Sequence, residues 1–129
     1  MSAAGTRLRV LISDDDPMIC DALREVLQAE PDLEVVAVAQ DTDQAIALAE
    51  RHAPAVAVLD VRMPGGGGAR AAREIRHRSP DTRIVAFSAY ADRAAIDDMR
   101  RAGASEYLLK GVANAEIVAA VRRLALGGP

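Results

Sequence analysis

The sequence predicts an α/β fold, a doubly wound five-stranded parallel sheet with helices on both faces, and three observations lead to it. Five apolar runs of strand length recur: RVLI (9–12), VVAVA (35–39), VAVL (56–59), IVAF (84–87) and EYLL (106–109). They are apolar without alternation, as strands covered on both faces are. Segments of helical period lie between and after them, so strand and helix alternate five times at about 25 residues per unit, the pattern of repeated βα units. At 129 residues the chain makes one domain with room for a real core.

The first strand runs into SDDDP (13–17), where Asp16 followed by Pro17 is a good N-cap with proline at the first helical position. Ile19, Leu23, Val26 and Leu27 then share one helical face. After the second strand, Thr42 is expected to open a helix with Ile46 and Ala49 on its inner side. After the third, GGGG (65–68) reads as a flexible loop, and residues 69–78, rich in Ala, Arg and Glu, read as a helix. After the fourth, Asp92 opens a helix carrying Ile96 and Met99, and Gly103 ends it in a left-handed conformation. The fifth strand precedes a helix with Ile117, Val118, Val121 and Leu124 on one face, which LGGP (126–129) stops. Residues 1–6 are expected to be disordered, 7–126 to form the domain, and 127–129 to be a tail or the start of a linker.

Composition excludes several functions. Phe87, Tyr90 and Tyr107 are the whole aromatic supply, which argues against stacking sites for flavins or single-stranded nucleic acid. The net charge is -3 and the basic residues are scattered along the chain, so no direct nucleic-acid contact is expected. Cys20 is the only cysteine and falls near the apolar face of the first helix, where it reads as a small buried hydrophobe. With no disulfide framework, no signal peptide and no run of membrane-spanning length, a soluble cytoplasmic protein is expected. His52 and His77 lack metal-ligand spacing and read as surface residues. Of the 16 basic residues, Lys110 is the sole lysine.

Three adjacent carboxylates at the end of the first strand need an explanation. Two carboxylates about 4 Å apart repel by about 4 kcal/mol at an effective dielectric near 20, so the crowding calls for a cation, a helix terminus or open water. In an open parallel sheet, ligands bind beyond the carboxyl ends of the strands. Asp14, Asp15 and Asp16 stand there after strand one, Asp60 after strand three, Ser88 after strand four and Lys110 after strand five. With the flavodoxin-like strand order 2-1-3-4-5 those strands are neighbours and their ends converge on one pocket. An acidic pair plus a third carboxylate offers oxygens to a hard divalent cation, Mg²⁺ when phosphate is also bound. A hydroxyl and an ammonium opposite them would hold anionic oxygens. Taken singly, each residue has an ordinary role as helix cap, turn residue or polar strand end; the conjunction carries the argument.

ISDDDP, LDVRMPG, AFSAY and EYLLKG, in that order, resemble the four signatures of the response-regulator receiver domain of two-component signalling. The resemblance covers about residues 7 to 126, with the spacing found in the subfamily that precedes a helix-turn-helix DNA-binding domain. It implies that Asp60 is the phosphoacceptor, and that Asp14, Asp15, Asp60 and the backbone carbonyl of Arg62 hold Mg²⁺, with Asp15 a direct ligand and Asp14 acting partly through water. It also implies that Ser88 and Lys110 contact phosphoryl oxygens, that Ser88 and Tyr107 are switch residues, and that Arg62 and Tyr90 flank the phosphoryl group and tune its lifetime. The implied partners are a histidine kinase and a homodimer or other partner docking on the face built from the fourth helix, fifth strand and fifth helix. Transcriptional control follows from the subfamily, with a DNA-binding domain lying beyond Pro129 or the receiver acting alone. Such a protein catalyses only its own phosphorylation and dephosphorylation.

Two alternatives remain at this level. A Mg²⁺-dependent phosphatase with an aspartyl nucleophile needs an acid two residues after it, where this chain has Arg62. A receiver-like interaction module that is never phosphorylated is opposed by the intact set of Asp, Ser and Lys. The chain departs from the receiver pattern at Gly111, where many members carry proline, and in the glycine run, of which Gly68 matches a glycine commonly found there. Asp14 and Asp15 are therefore expected to face a cation, and Asp16 to cap the helix that Pro17 begins.

Overall fold

Each apolar run forms a strand in the computed structural model, which describes residues 7–127. The strands β1 (Leu8–Ser13), β2 (Leu33–Ala39), β3 (Val56–Asp60), β4 (Arg83–Ser88) and β5 (Glu106–Leu109) alternate with five helices. These are α1 (Pro17–Gln28), α2 (Thr42–His52), α3 (Gly67–Arg78), α4 (Arg93–Ala102) and α5 (Asn114–Ala125). The sheet is parallel in the order β2-β1-β3-β4-β5, the flavodoxin-like (βα)5 arrangement. The expectations for residues 1–6 and for Gly128 and Pro129 lie outside the described residues. No helix among the described residues is long and apolar enough to cross a membrane.

Successive strand residues point to opposite faces and build two cores. Val10, Ile12, Val56, Val58, Val85 and Phe87 meet Leu23 and Leu27 of α1 and Ile117 and Val121 of α5. Leu11, Leu59, Ile84 and Ala86 face α2, α3 and α4, where Ala45, Ala49, Ala71, Ala72 and Ala102 are buried alongside Ile46, Ile75 and Met99. Small alanines at this interface let helix and sheet pack closely with few bulky residues. Cys20 is buried in the α1 core as expected.

The structure corrects four local expectations. Coverage on both faces holds for β1, β3 and β4, whereas β2 and β5 are the sheet edges: Glu34 is exposed, and no β5 residue is fully buried. An edge strand has a neighbour on one side only, so its apolar run is a weaker guide to burial. Thr42 does not cap α2; Asp41 does, its Oδ1 accepting from the Gln44 amide at 2.8 Å. Thr42 is instead fully buried, its amide donating to Pro64 O at 2.9 Å and its Oγ1 accepting from the Gly67 amide at 3.1 Å. The fourth correction follows from this: α3 begins inside the glycine run, at Gly67, because a hydroxyl from α2 satisfies an amide that Gly66 has no side chain to bind. His52 is half-buried and His77 exposed; neither lies near the strand ends that carry Asp14 and Asp60.

Candidate functional site

The carboxyl ends of β1, β3, β4 and β5 bring the expected residues together. Asp14 follows β1 directly and is anchored by its amide to Ala39 O of β2 at 3.0 Å. Its side chain turns inward, 1% exposed, with Oδ1 accepting from the Asp16 amide at 2.9 Å. Asp16 caps α1 by accepting from the Met18 amide at 2.9 Å, with Pro17 in the first turn. Asp15 between them is exposed. Asp60 ends β3 and is 5% exposed. One oxygen from each of Asp14, Asp15 and Asp60 can be chosen so that all three lie within 4.8 Å of one another.

Lys110 enters this group from the residue after β5. Its amide donates to Ser88 O at 2.7 Å, which fixes the end of β5 against β4. Its ammonium lies 2.7 Å from Asp14 Oδ2 and 3.4 Å from Asp60 Oδ1. Burial alone would lower the Lys110 pKa; the two carboxylates more than offset it and hold the pKa above the ordinary lysine value. Asp14 Oδ2 is buried, and the Lys110 ammonium is the cation beside it. Burial, reinforced by the negative charge of Asp14, pushes the Asp60 carboxyl up from 3.8 to about 6, against the opposing pull of Lys110 and the Arg62 amide. Burial likewise raises the Cys20 thiol, again with help from Asp14, and its Sγ donates to Asp14 O at 3.2 Å.

Three carboxylates face one ammonium, which leaves about two negative charges uncompensated. The spacing of the three carboxylates and their excess of negative charge fit a hard divalent cation, which takes oxygen ligands and needs several of them convergent.

The recess containing these groups has a volume of about 290 Å³ and is rimmed by Asp15, Asp16, Arg62 and Tyr90. The Arg62 guanidinium stacks on the Tyr90 ring, 3.7 Å from its centroid. Ser88 is fully buried at the end of β4, its Oγ accepting from the Tyr90 amide at 3.0 Å. That bond uses an oxygen lone pair and leaves the hydroxyl proton available to a further acceptor. Tyr107 does not reach the carboxylates: its hydroxyl donates to Tyr90 O at 2.6 Å.

For two residues the sequence showed the position and not the contact. Thr42 secures the connection between β3 and α3 through residues more than twenty positions away, and a buried threonine gives no local sign of such a contact. The second is Gly68, whose missing side chain lets α3 lie on the Asp60 backbone: a Cβ there would stand 2.4 Å from Asp60 O.

Gly111 has φ +107° with open space where a Cβ would be. Proline holds φ near −65°, so Gly111→Pro forces the chain beside Lys110 onto another path. The expected result is a loss of more than about 1 kcal/mol of stability together with displacement of Lys110. Urea unfolding measures the first. A Lys110 resonance in NMR spectra that stays where it is in the wild type rules out the second.

A family model for the response regulator receiver domain matches residues 10–122. The transcriptional regulatory protein DegU of Brevibacillus brevis is 32% identical over 122 residues, which are 95% of this chain and 52% of that protein. The DNA-binding transcriptional activator DevR/DosR of Mycobacterium tuberculosis is 35% identical over 93% of this chain and 55% of its own length. The chain thus spans about half the length of these curated relatives. Among solved structures, the signal receiver domain of the response regulator NarL from Mycobacterium tuberculosis superposes with a TM-score of 0.90 at 36% identity, covering 94% of this chain and 98% of that one.

Proposed function

This chain belongs to the response regulator receiver domain family, and from that premise we propose that it is a phosphorylation-controlled switch with Asp60 as the phosphoacceptor. The observation that carries the reading is the convergence of Asp60 with two further carboxylates and with Lys110, 3.4 Å away. A carboxylate oxygen of Asp60 attacks phosphorus of a phosphohistidine on a partner kinase. The new O–P bond forms as the N–P bond breaks, and the departing imidazole takes up a proton. Asp14, Asp15, Asp60 and the Arg62 carbonyl are the Mg²⁺ ligands in this reading, and the metal supplies charge neutralisation for the transferring group.

The remaining roles belong to residues of this chain. Lys110 exchanges its contact with Asp60 for one with a phosphoryl oxygen, and the Ser88 hydroxyl donates to another. Their adjustment, with Tyr107, shifts an existing equilibrium of the α4–β5–α5 face. That face is the surface for a homodimer or another partner. Several relatives carry names as transcriptional regulators, which supports transcriptional control through a helix-turn-helix DNA-binding domain on the C-terminal side. In this reading the receiver itself does not contact nucleic acid, works in the cytoplasm and turns over no substrate beyond its own phosphoryl group.

The test is incubation with Mg²⁺ and acetyl phosphate. A hydroxylamine-labile adduct is expected on the wild type and absent from Asp60→Asn. An unmodified wild type, or equal labelling of the variant, refutes the assignment.

A further inference from the structure

Residues 61–66 join Asp60 to α3, and the start of α2 holds this connection from one side. The Thr42 amide donates to Pro64 O at 2.9 Å, and Thr42 Oγ1 accepts from the Gly67 amide at 3.1 Å. Asp43 reaches the same stretch through Arg70, whose guanidinium donates to Asp43 Oδ1 at 2.9 Å and to Gly65 O at 2.8 Å. Gly65, Gly66 and Gly67 have φ of +95°, +116° and +85°. Glycine takes either sign of φ about equally, so nothing in these residues themselves selects that path. The Arg70 and Asp43 pair is exposed, where such contacts contribute little. Thr42 is fully buried and holds the run at both ends, at Pro64 and at Gly67. It also lies close against the run: a Cβ on Gly65 would stand 3.3 Å from Thr42 Cβ.

We infer that the Thr42 hydroxyl is a positioning group for the cation site: from α2 it keeps the backbone around Arg62 in one path before a cation arrives. The inference rests on the reading of Asp14, Asp15, Asp60 and the Arg62 carbonyl as Mg²⁺ ligands, and it adds to them a residue on another helix. Asp14 and Asp60 are placed by the sheet, through the bond to Ala39 O and the pairing of Asp60 with Phe87. Arg62 lies beyond the sheet, with its amide 3.5 Å from Asp60 Oδ1. Its carbonyl is therefore placed by how the connection is held farther along. A ligand already in position spares binding the cost of ordering it. Without the hydroxyl the Gly67 amide loses its partner, the glycine run gains other paths, and that ordering cost is added to cation binding.

Thr42→Val keeps the shape and removes the hydroxyl, whereas Thr42→Ser keeps the hydroxyl. Each native protein is titrated with Mg²⁺ and followed by the backbone NMR signals of Asp15 and Asp60. Thr42→Val is expected to bind Mg²⁺ about fivefold more weakly, the scale of one neutral hydrogen bond, and Thr42→Ser to bind as the wild type does. Thr42→Ala, which leaves room for water at the Gly67 amide, takes the place of the valine variant if that one does not fold. Labelling by acetyl phosphate should be slower in the variant at low Mg²⁺ and reach the wild-type rate once Mg²⁺ saturates. Thr82→Val controls for a general loss of stability: it removes a buried hydroxyl that donates to Pro54 O at 2.7 Å, at the other end of the sheet. It should lower stability to urea and leave Mg²⁺ affinity unchanged. Wild-type affinity without the Thr42 hydroxyl, equal weakening by Thr42→Ser, or equal weakening by Thr82→Val would each overturn the positioning role and leave the cation site standing. A wild type that binds no Mg²⁺ would refute the cation site itself, and this role with it.

Discussion

Asp60→Asn, the substitution expected to abolish phosphorylation, is expected to make the metal-free protein more stable at pH 8, by about 2 to 3 kcal/mol. The figure comes from a native pKa of about 6 against 3.8 for the free carboxyl, at about 1.4 kcal/mol per unit. The native state holds this proton more tightly than the unfolded state does. The contribution of Asp60 to stability is therefore fully present below pH 3.8, falls as the pH rises through about 6, and stays low above that. Asparagine carries no such charge, so the difference between variant and wild type should be near zero at the acid end and fully open above pH 7.

On the proposed reading, added Mg²⁺ should stabilise the native wild type and narrow the gap, by about 1.4 kcal/mol at a free concentration ten times its dissociation constant. Urea unfolding of both proteins across this pH range, with and without Mg²⁺, gives the comparison. A gap that stays constant from pH 4 to pH 8 would sink the idea that a buried, under-compensated charge at Asp60 is held at a cost to stability.

Gly68→Ala is expected to damage both the fold and the site. Gly68 is buried in the first turn of α3, its amide bonded to Val61 O at 2.8 Å. A Cβ would stand 2.4 Å from Asp60 O and 3.0 Å from Val61 Cα, and both are backbone atoms that cannot turn aside. Either α3 lifts away or the end of β3 shifts, at about 2 to 3 kcal/mol. The displaced residue is the proposed phosphoacceptor, so labelling by acetyl phosphate should slow by about tenfold or more, since catalysis by positioning is sensitive to small displacements.

Gly103→Ala separates this effect from the general cost of replacing glycine. Its Cβ would meet the flexible stem of Arg76, and its φ of +115° costs about 1 to 2 kcal/mol for any other residue. It lies at the C-terminal end of α4, away from Asp60, so labelling should proceed at the wild-type rate. Equal stability of Gly68→Ala and wild type would mean that the approach of α3 relaxes by a small movement and that Gly68 has no special part in placing Asp60.

The sequence by itself determined the five βα units and the four strand ends that carry polar groups. These signals are local: a run of apolar residues marks a strand, and the residue following it must stand at that strand's end. The separation of Asp16 from its two neighbours was legible for the same reason, because a cap and the proline after it are adjacent in the chain. What the tertiary structure decided involves residues far apart in sequence. It buried Asp14 and left Asp15 exposed, through pairing of the β1 end with β2. It made Thr42, the first residue of α2, a tie for the loop that follows Asp60. It also stacked Arg62 on Tyr90 and bonded Tyr90 to Tyr107. Burial, and with it the raised pKa of Asp60, depends on what the other strands and helices bring to the same place, and no single segment of the chain contains that information.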